Sequence, residues 1–210
     1  MFRGSVLPTV TMELRDAAKA MFRRTIKLPT LATDEIYASK LVAAMDRQHP
    51  RDLFDVMKLR EQSGGISDLM RQVFLAYVSG HNRPINEILT PNKLDISQAY
   101  ANEFVGMTTE PVSLESLLET RDWLFETLPA SITADERRYL LSLKAATPDW
   151  SVLPFPGLAE LPSIKWKLQN IERLKDRNAS KYKSMYDLLE KKLSDLPFHA
   201  SANPTRPAGT

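Results

Sequence analysis

The sequence predicts a mainly helical domain with a small β element at its N-terminus, and three observations carry that expectation. From residue 33 onward apolar residues recur at helical spacing, in segments bounded by capping or breaking residues. Strand-like patterning is confined to residues 1–10 and an extended stretch at 25–31. No repeat of fixed period emerges, and no linker separates a second globular unit.

Taken in order, residues 1–10 alternate Phe2, Ser5/Val6 and Val10 with a Pro8 stop and read as one short edge strand that ends before the proline. Residues 13–24 carry Leu14, Ala17, Ala18, Met21 and Phe22 as a helical stripe, and residues 25–31 extend until Pro29 breaks them. Thr33 reads as the N-cap of the next helix, with Asp34 and Glu35 placing negative charge in its first turn and Ile36, Leu41, Ala44 and Met45 as its apolar set. Pro50 suits the first position of the following helix, where its missing N–H would be unpaired anyway, and Ser63-Gly64-Gly65 stops that helix. Residues 66–79 resume as a helix buried on much of its surface, ended by Gly80, and a short helix follows Pro84. Residues 94–104 read helical. Residues 113–128 form a longer helix with Leu117, Trp123, Leu124 and Leu128 on a thick apolar face, Trp123 belonging to the core. Thr133 and Glu136 have capping-box spacing ahead of a helix over 134–146. The proline-rich stretch from Thr147 to Pro162 must be a surface loop, anchored by Trp150 and Phe155. A final helix pair, 163–176 and a partner after Asn178, carries many lysines, whose usual meaning is a solvated face. Residues 194–210 have three prolines and no periodic stripe, and read as a disordered tail.

Composition excludes more than it suggests. With 28 basic and 26 acidic residues the formal charge is +2, which announces neither a nucleic-acid binder nor a membrane-surface protein. The absence of cysteine excludes disulfides, thiol catalysis and thiolate zinc sites, and three histidines make a histidine metal site unexpected. No apolar run of membrane-spanning length and no charged-then-apolar leader is present, so no membrane association is predicted and the cytoplasm is the expected compartment.

Most functional information sits in residues 36–59, IYASKLVAAMDRQHPRDLFDVMKL. Lys40 and Arg47 lie seven residues apart, about two helical turns, which puts both cations near one face beside small Ala43 and Ala44. After a His-Pro break the second helix opens with a compact cluster of Arg51, Asp52 and Asp55. A purely structural account is available: Arg51 pairs with Asp55 four residues on, and Asp52 helps the helix start. The alternative is a phosphate-handling site. A similar choice attends His81, Asn82 and Arg83 after the next helix, where basic groups at a helix C-terminus would bond the last carbonyls.

The pattern K-x6-R-x3-RD-x2-D across two helices resembles two motifs of the AbiEii/AbiGii toxin family of nucleotidyltransferases, and the His-Asn-Arg-Pro turn, the EFVGMT segment, the PDW loop and LPSIKWKLQN resemble its C-terminal portion. The resemblance implies a toxin of a toxin–antitoxin system, active in abortive infection and phage defence. It would transfer a nucleotide from an NTP, with Mg2+, to an RNA acceptor such as a tRNA end, and its partners would be a cognate antitoxin and tRNA. Carried over residue by residue, it nominates Lys40, Arg47 and Arg51 for the nucleotide, Asp52 and Asp55 for the catalytic edge, and His81 and Arg83 for nucleotide or RNA phosphate. Family members also carry a Gly-Ser turn followed by an Asp-x-Asp pair that holds the metal; this chain has Gly4-Ser5 but no Asp-x-Asp anywhere. The expected organisation is therefore a remnant of the α/β nucleotidyltransferase region at 1–32, a helical domain at 33–193 and a tail at 194–210. On that expectation the chain is the C-terminal portion of an α+β protein, binds neither Mg2+ nor NTP and is inactive alone. Whether it is an enzyme stays open, the alternative being a non-catalytic helical module for an antitoxin or RNA. Apolar faces at 1–32 would lack partners, which makes a homo-oligomer an expectation for light scattering.

Overall fold

The computed structural model describes residues 4–197, in which two short strands and ten α-helices are formed. The core is built on α2 (Thr33–Arg47), α3 (Pro50–Ser63) and α4 (Asp68–Ser79). Leu41, Val42 and Met45 of α2 pack with Leu53, Val56 and Leu59 of α3 and with Val73, Phe74, Leu75 and Val78 of α4, all buried. Each such side chain stabilises the fold by roughly 1.5–3 kcal/mol. The helix α4 is buried on nearly every side, as its unbroken apolar run requires, and the Ser67 hydroxyl caps it by accepting from the Met70 N–H at 3.0 Å. Around this centre stand α5 (Ile85–Leu89), α6 (Ser97–Glu103), α7 (Leu114–Ser131), α8 (Ala134–Lys144), α9 (Pro162–Arg177) and α10 (Ala179–Asp195). The capping box expected at Thr133 and Glu136 is present, and the proline-rich loop is anchored by half-buried Trp150 and buried Phe155.

At the N-terminus, β1 (Val10–Glu13) pairs antiparallel with β2 (Lys27–Thr30), with α1 (Asp16–Phe22) in the connection. None of these residues is buried. Met12 stands opposite Leu28 on the sheet, and both are exposed, as are Met21 and Phe22 of α1. What joins this element to the helices is Glu35, fully buried in the first turn of α2. Its carboxylate accepts from the Val6 N–H at 2.7 Å, the Leu7 N–H at 3.3 Å and the Tyr77 hydroxyl at 2.6 Å.

Several boundaries differ from the sequence reading, each for a local reason. The first strand begins at Val10 rather than ending before Pro8, because Val6 and Leu7 spend their N–H groups on Glu35 and Pro8 has none to give; residues 1–3 lie outside the described residues. Thr33 is the first helical residue and not the cap, a position taken by Ala32 without side-chain help. Ile36 is half-exposed, while Ala38 and Val42 join Leu41 in the core. The helix expected from 94 starts at Ser97, since Asp95 accepts from the Ser97 N–H at 2.9 Å and holds a turn there. The helix α7 runs through Pro129 to Ser131, because a proline in the last turn sacrifices only one ladder bond. The tail begins later than expected: α10 reaches Asp195, Leu196 is buried, and the Pro197 carbonyl accepts from Arg137 at 2.7 Å. The rest of that expectation, 198–210, lies outside the described residues.

Candidate functional site

The joint between α2 and α3 sets the geometry of the site. Gln48 ends α2 in the left-handed conformation, φ 54°, and His49 in extended conformation caps α3, its ring Nδ1 accepting from the Arg51 N–H at 3.2 Å. With Nδ1 an acceptor, the ring proton sits on Nε2, 3.1 Å from the Glu103 carboxylate that receives it. Pro50 occupies the first helical position, as the sequence predicts.

This joint brings Lys40, Arg47, Arg51, Asp52 and Asp55 around one cleft of about 550 Å3. Pockets that hold small ligands run from roughly 300 to 1,000 Å3, so the size suits a nucleotide. The Arg51–Asp55 pair of the structural account does not form. The acids reach across to the other helix: Lys40 Nζ lies 2.8 Å from Asp55, and Arg47 Nη2 donates to both oxygens of Asp52 at 2.8 and 2.9 Å. Arg51 has no acid within ion-pair distance among the described residues, and its exposed guanidinium lines the cleft. Half-exposed pairs such as Lys40–Asp55 are worth about 0–1 kcal/mol, little enough for a competing phosphate to displace the acid. Asp52 is the more deeply set acid, its side chain 8% exposed against 36% for Asp55.

Phe54, Phe104, Met107, Thr108 and the His49 ring also line the cleft, and the sequence reading did not nominate them. Phe104 is buried against Phe54, ring centroids 5.7 Å apart, and Tyr100 lies 5.8 Å from it on the other side. Phe54 follows Arg51 by three residues, hence on the same helical face, a spacing that could have flagged it. The EFVGMT segment that holds Phe104, Met107 and Thr108 was noted only for its resemblance to the family, with no role assigned to it.

His81 and Arg83 are placed elsewhere. Neither lines the cleft; both turn to Asp46, with Arg83 Nη1 2.7 Å and His81 Nε2 3.5 Å from its carboxylate, and Arg83 also reaches Glu87. The Asp46 carboxylate raises the Arg83 pKa further above its ordinary value, fixing it as a cation. Nor do these side chains serve the end of α4 as the structural account expected. That work falls to Lys167 of α9, whose ammonium donates to the carbonyls of Val78 at 3.3 Å, His81 at 2.8 Å and Arg83 at 3.1 Å. Lys167 is therefore not one of the solvated lysines of its helix.

The donor set does not fit protein-held Mg2+. Among the described residues no group of three or more acidic or histidine side chains converges to hold an ion, and Asp52 and Asp55 each face a cation. No helix of the described residues is long and apolar enough to cross a membrane.

Comparison with known proteins adds one finding. The family model for the nucleotidyl transferase AbiEii toxin, type IV toxin–antitoxin system, matches residues 1–170. No curated protein and no solved structure matches the chain.

Proposed function

The chain belongs to the AbiEii nucleotidyl transferase toxin family of type IV toxin–antitoxin systems, and we propose that its cleft grips the triphosphate of an NTP whose nucleotide passes to an RNA acceptor such as a tRNA end. The carrying observation is the convergence of Lys40, Arg47 and unpaired Arg51 around one cleft that Phe54, Phe104 and Met107 also line. Arg51, and Lys40 once it leaves Asp55, would offer charge to the phosphates, and Phe54 with Met107 would give a base an apolar surface to lie against. Arg51 would engage phosphate first, because it gives up no partner. Lys40 would follow by leaving Asp55, which then points into the cleft as a free carboxylate able to orient an acceptor hydroxyl. Phosphoryl chemistry is mostly positioning and charge stabilisation, and these groups supply both.

A second reading is favoured by the donor set. Two-metal transfer needs carboxylates that bridge the ions, and Asp52 and Asp55 are held by Arg47 and Lys40 instead. On this reading the chain is a binding module for RNA or for the antitoxin that its family membership implies. One experiment separates the two: calorimetric titration with each NTP, alongside incubation of labelled NTP with tRNA. The transferase reading expects saturable binding weakened about tenfold or more, 1.4 kcal/mol, by Lys40→Ala or Arg51→Ala, with label appearing in RNA. Binding without label supports the module. No saturable NTP binding overturns the nucleotide cleft.

A further inference from the structure

A second pocket, of about 190 Å3, opens where the turn after α4 meets the end of α8 and the faces of α9 and α10. Its walls include Arg83, Lys144, Trp166, Lys167 and Asn170, and no carboxylate lines it. Lys144, the last residue of α8, is only 8% exposed. Its ammonium, at the open end of this mostly buried side chain, keeps contact with solvent and makes no hydrogen bond or ion pair among the described residues; the face of Tyr182 lies 5.9 Å away, measured to the ring centre. Charges on mostly buried side chains are otherwise paired or hydrogen-bonded, because desolvation without a partner is costly. Arg83 adds little positive charge to the pocket, since Asp46 and Glu87 neutralise it from outside. Burial and the nearby Lys144 push the Lys167 ammonium down to about 7, while its three carbonyl acceptors favour the charged form that an anion would also stabilise. Burial lowers Lys144 as well. Two neighbouring ammoniums without an acid make a site whose electrostatics an anion would relieve.

We propose that this pocket binds a single phosphoryl group, with the Lys144 ammonium as its principal ligand and Asn170 at its rim. The volume lies below the roughly 300 Å3 at which pockets begin to enclose drug-sized ligands, so it takes a phosphate and not a whole nucleotide. The site is distinct from the nucleotide cleft, with which it shares no lining residue. The phosphoryl group comes either from a free phosphate-bearing small molecule or from the backbone or end of an RNA strand.

The test is titration of the full chain with inorganic phosphate, then with a short RNA bearing a 5′-phosphate and the same RNA without it, at fixed ionic strength. The phosphate binding that Lys40→Ala retains is the part assigned to this pocket, and adding Lys144→Met is expected to weaken that part at least about tenfold. Lys144→Met should keep the melting temperature, because it fills the space of the buried Lys144 stem and removes a cation that no acid pairs. Lys144→Arg, which retains the cation, should retain binding and guards against a folding artefact in the methionine variant. Competition by the 5′-phosphorylated RNA, lost in Lys144→Met, identifies RNA as the source; competition by phosphate alone identifies the small molecule. Phosphate binding unchanged on adding Lys144→Met to Lys40→Ala, abolished in Lys40→Ala alone, or absent from wild type overturns the proposal.

Discussion

Replacing Glu35 with alanine removes every acceptor through which the first turn of α2 holds the N-terminal segment. The carboxylate is fully buried and accepts from two backbone N–H groups and one tyrosine hydroxyl, at 2.7, 3.3 and 2.6 Å. Hydrogen bonds to a charged acceptor are worth about 1.5–3 kcal/mol each, so three give roughly 4–9 kcal/mol gross. Burying a carboxylate that no cation pairs costs several kcal/mol in return, offset in part by its place in the first turn of a helix. The expected net loss for Glu35→Ala is about 3 kcal/mol, a large share of the stability of a domain this size. Glu35→Gln keeps the shape but leaves one oxygen to do the work of two, and should lose about half as much. Urea denaturation followed by circular dichroism gives the free energies, and amide hydrogen exchange at Val6 and Leu7 reports the tether itself. A loss under about 1 kcal/mol with unchanged exchange at both amides would show that the segment is held by other means.

Three further outcomes are expected. Glu136 accepts from Arg71 Nε at 3.0 Å and from the Thr133 N–H at 2.8 Å, joining α4 to the cap of α8; Glu136→Ala should cost about 3–5 kcal/mol in urea. Arg137 donates to the carbonyls of Ile132, Leu193, Leu196 and Pro197, so Arg137→Ala should cost about 2–4 kcal/mol and open the end of α10 to limited proteolysis, which wild type resists. Burial pushes the Tyr139 hydroxyl up to about 12 against about 10 in the unfolded chain. Its stabilisation is complete below pH 10 and is lost as pH rises toward 12, because the unfolded chain releases that proton first; the fall should total about 2–3 kcal/mol and be absent in Tyr139→Phe.

Helices were legible because their signals are local. Capping spacings at Thr133 and Glu136, the glycine stop after Ser63 and the apolar run of α4 each decide an element within one or two turns. The first strand was misplaced because its limit is set by Glu35, about thirty residues away in sequence, through bonds to Val6 and Leu7 that no alternation can reveal. Lys167 was read as solvated for the same reason: its three carbonyl partners lie more than 80 residues earlier. In the cleft, the spacing of Lys40, Arg47, Arg51, Asp52 and Asp55 showed that they could meet. It could not show who pairs with whom. An i,i+4 partner looked available to Arg51, yet Asp55 is taken by a lysine on the other helix, and that exchange is what leaves Arg51 open to a ligand.

The exchange traces to Gln48. A non-glycine residue in the left-handed region costs on the order of 1–3 kcal/mol and persists only where its surroundings over-determine it. Here the side chain, 2% exposed, donates to the Asn92 carbonyl at 2.7 Å and accepts from the Leu94 N–H at 3.0 Å, while Arg121 holds the Leu94 carbonyl at 2.6 Å. A glycine would suit the backbone and surrender both bonds, loosening the angle at which α3 leaves α2. That angle decides whether Asp52 and Asp55 lie under Arg47 and Lys40. The last turn of α2 also faces two ways, since successive residues point about 100° apart. Arg47 bonds Asp52 on the side of the larger cleft, whereas Asp46 bonds Arg83 and His81, which line the smaller pocket. One rigid turn thus lines the cleft through Arg47 and, from outside the smaller pocket, holds two of that pocket's lining residues through Asp46.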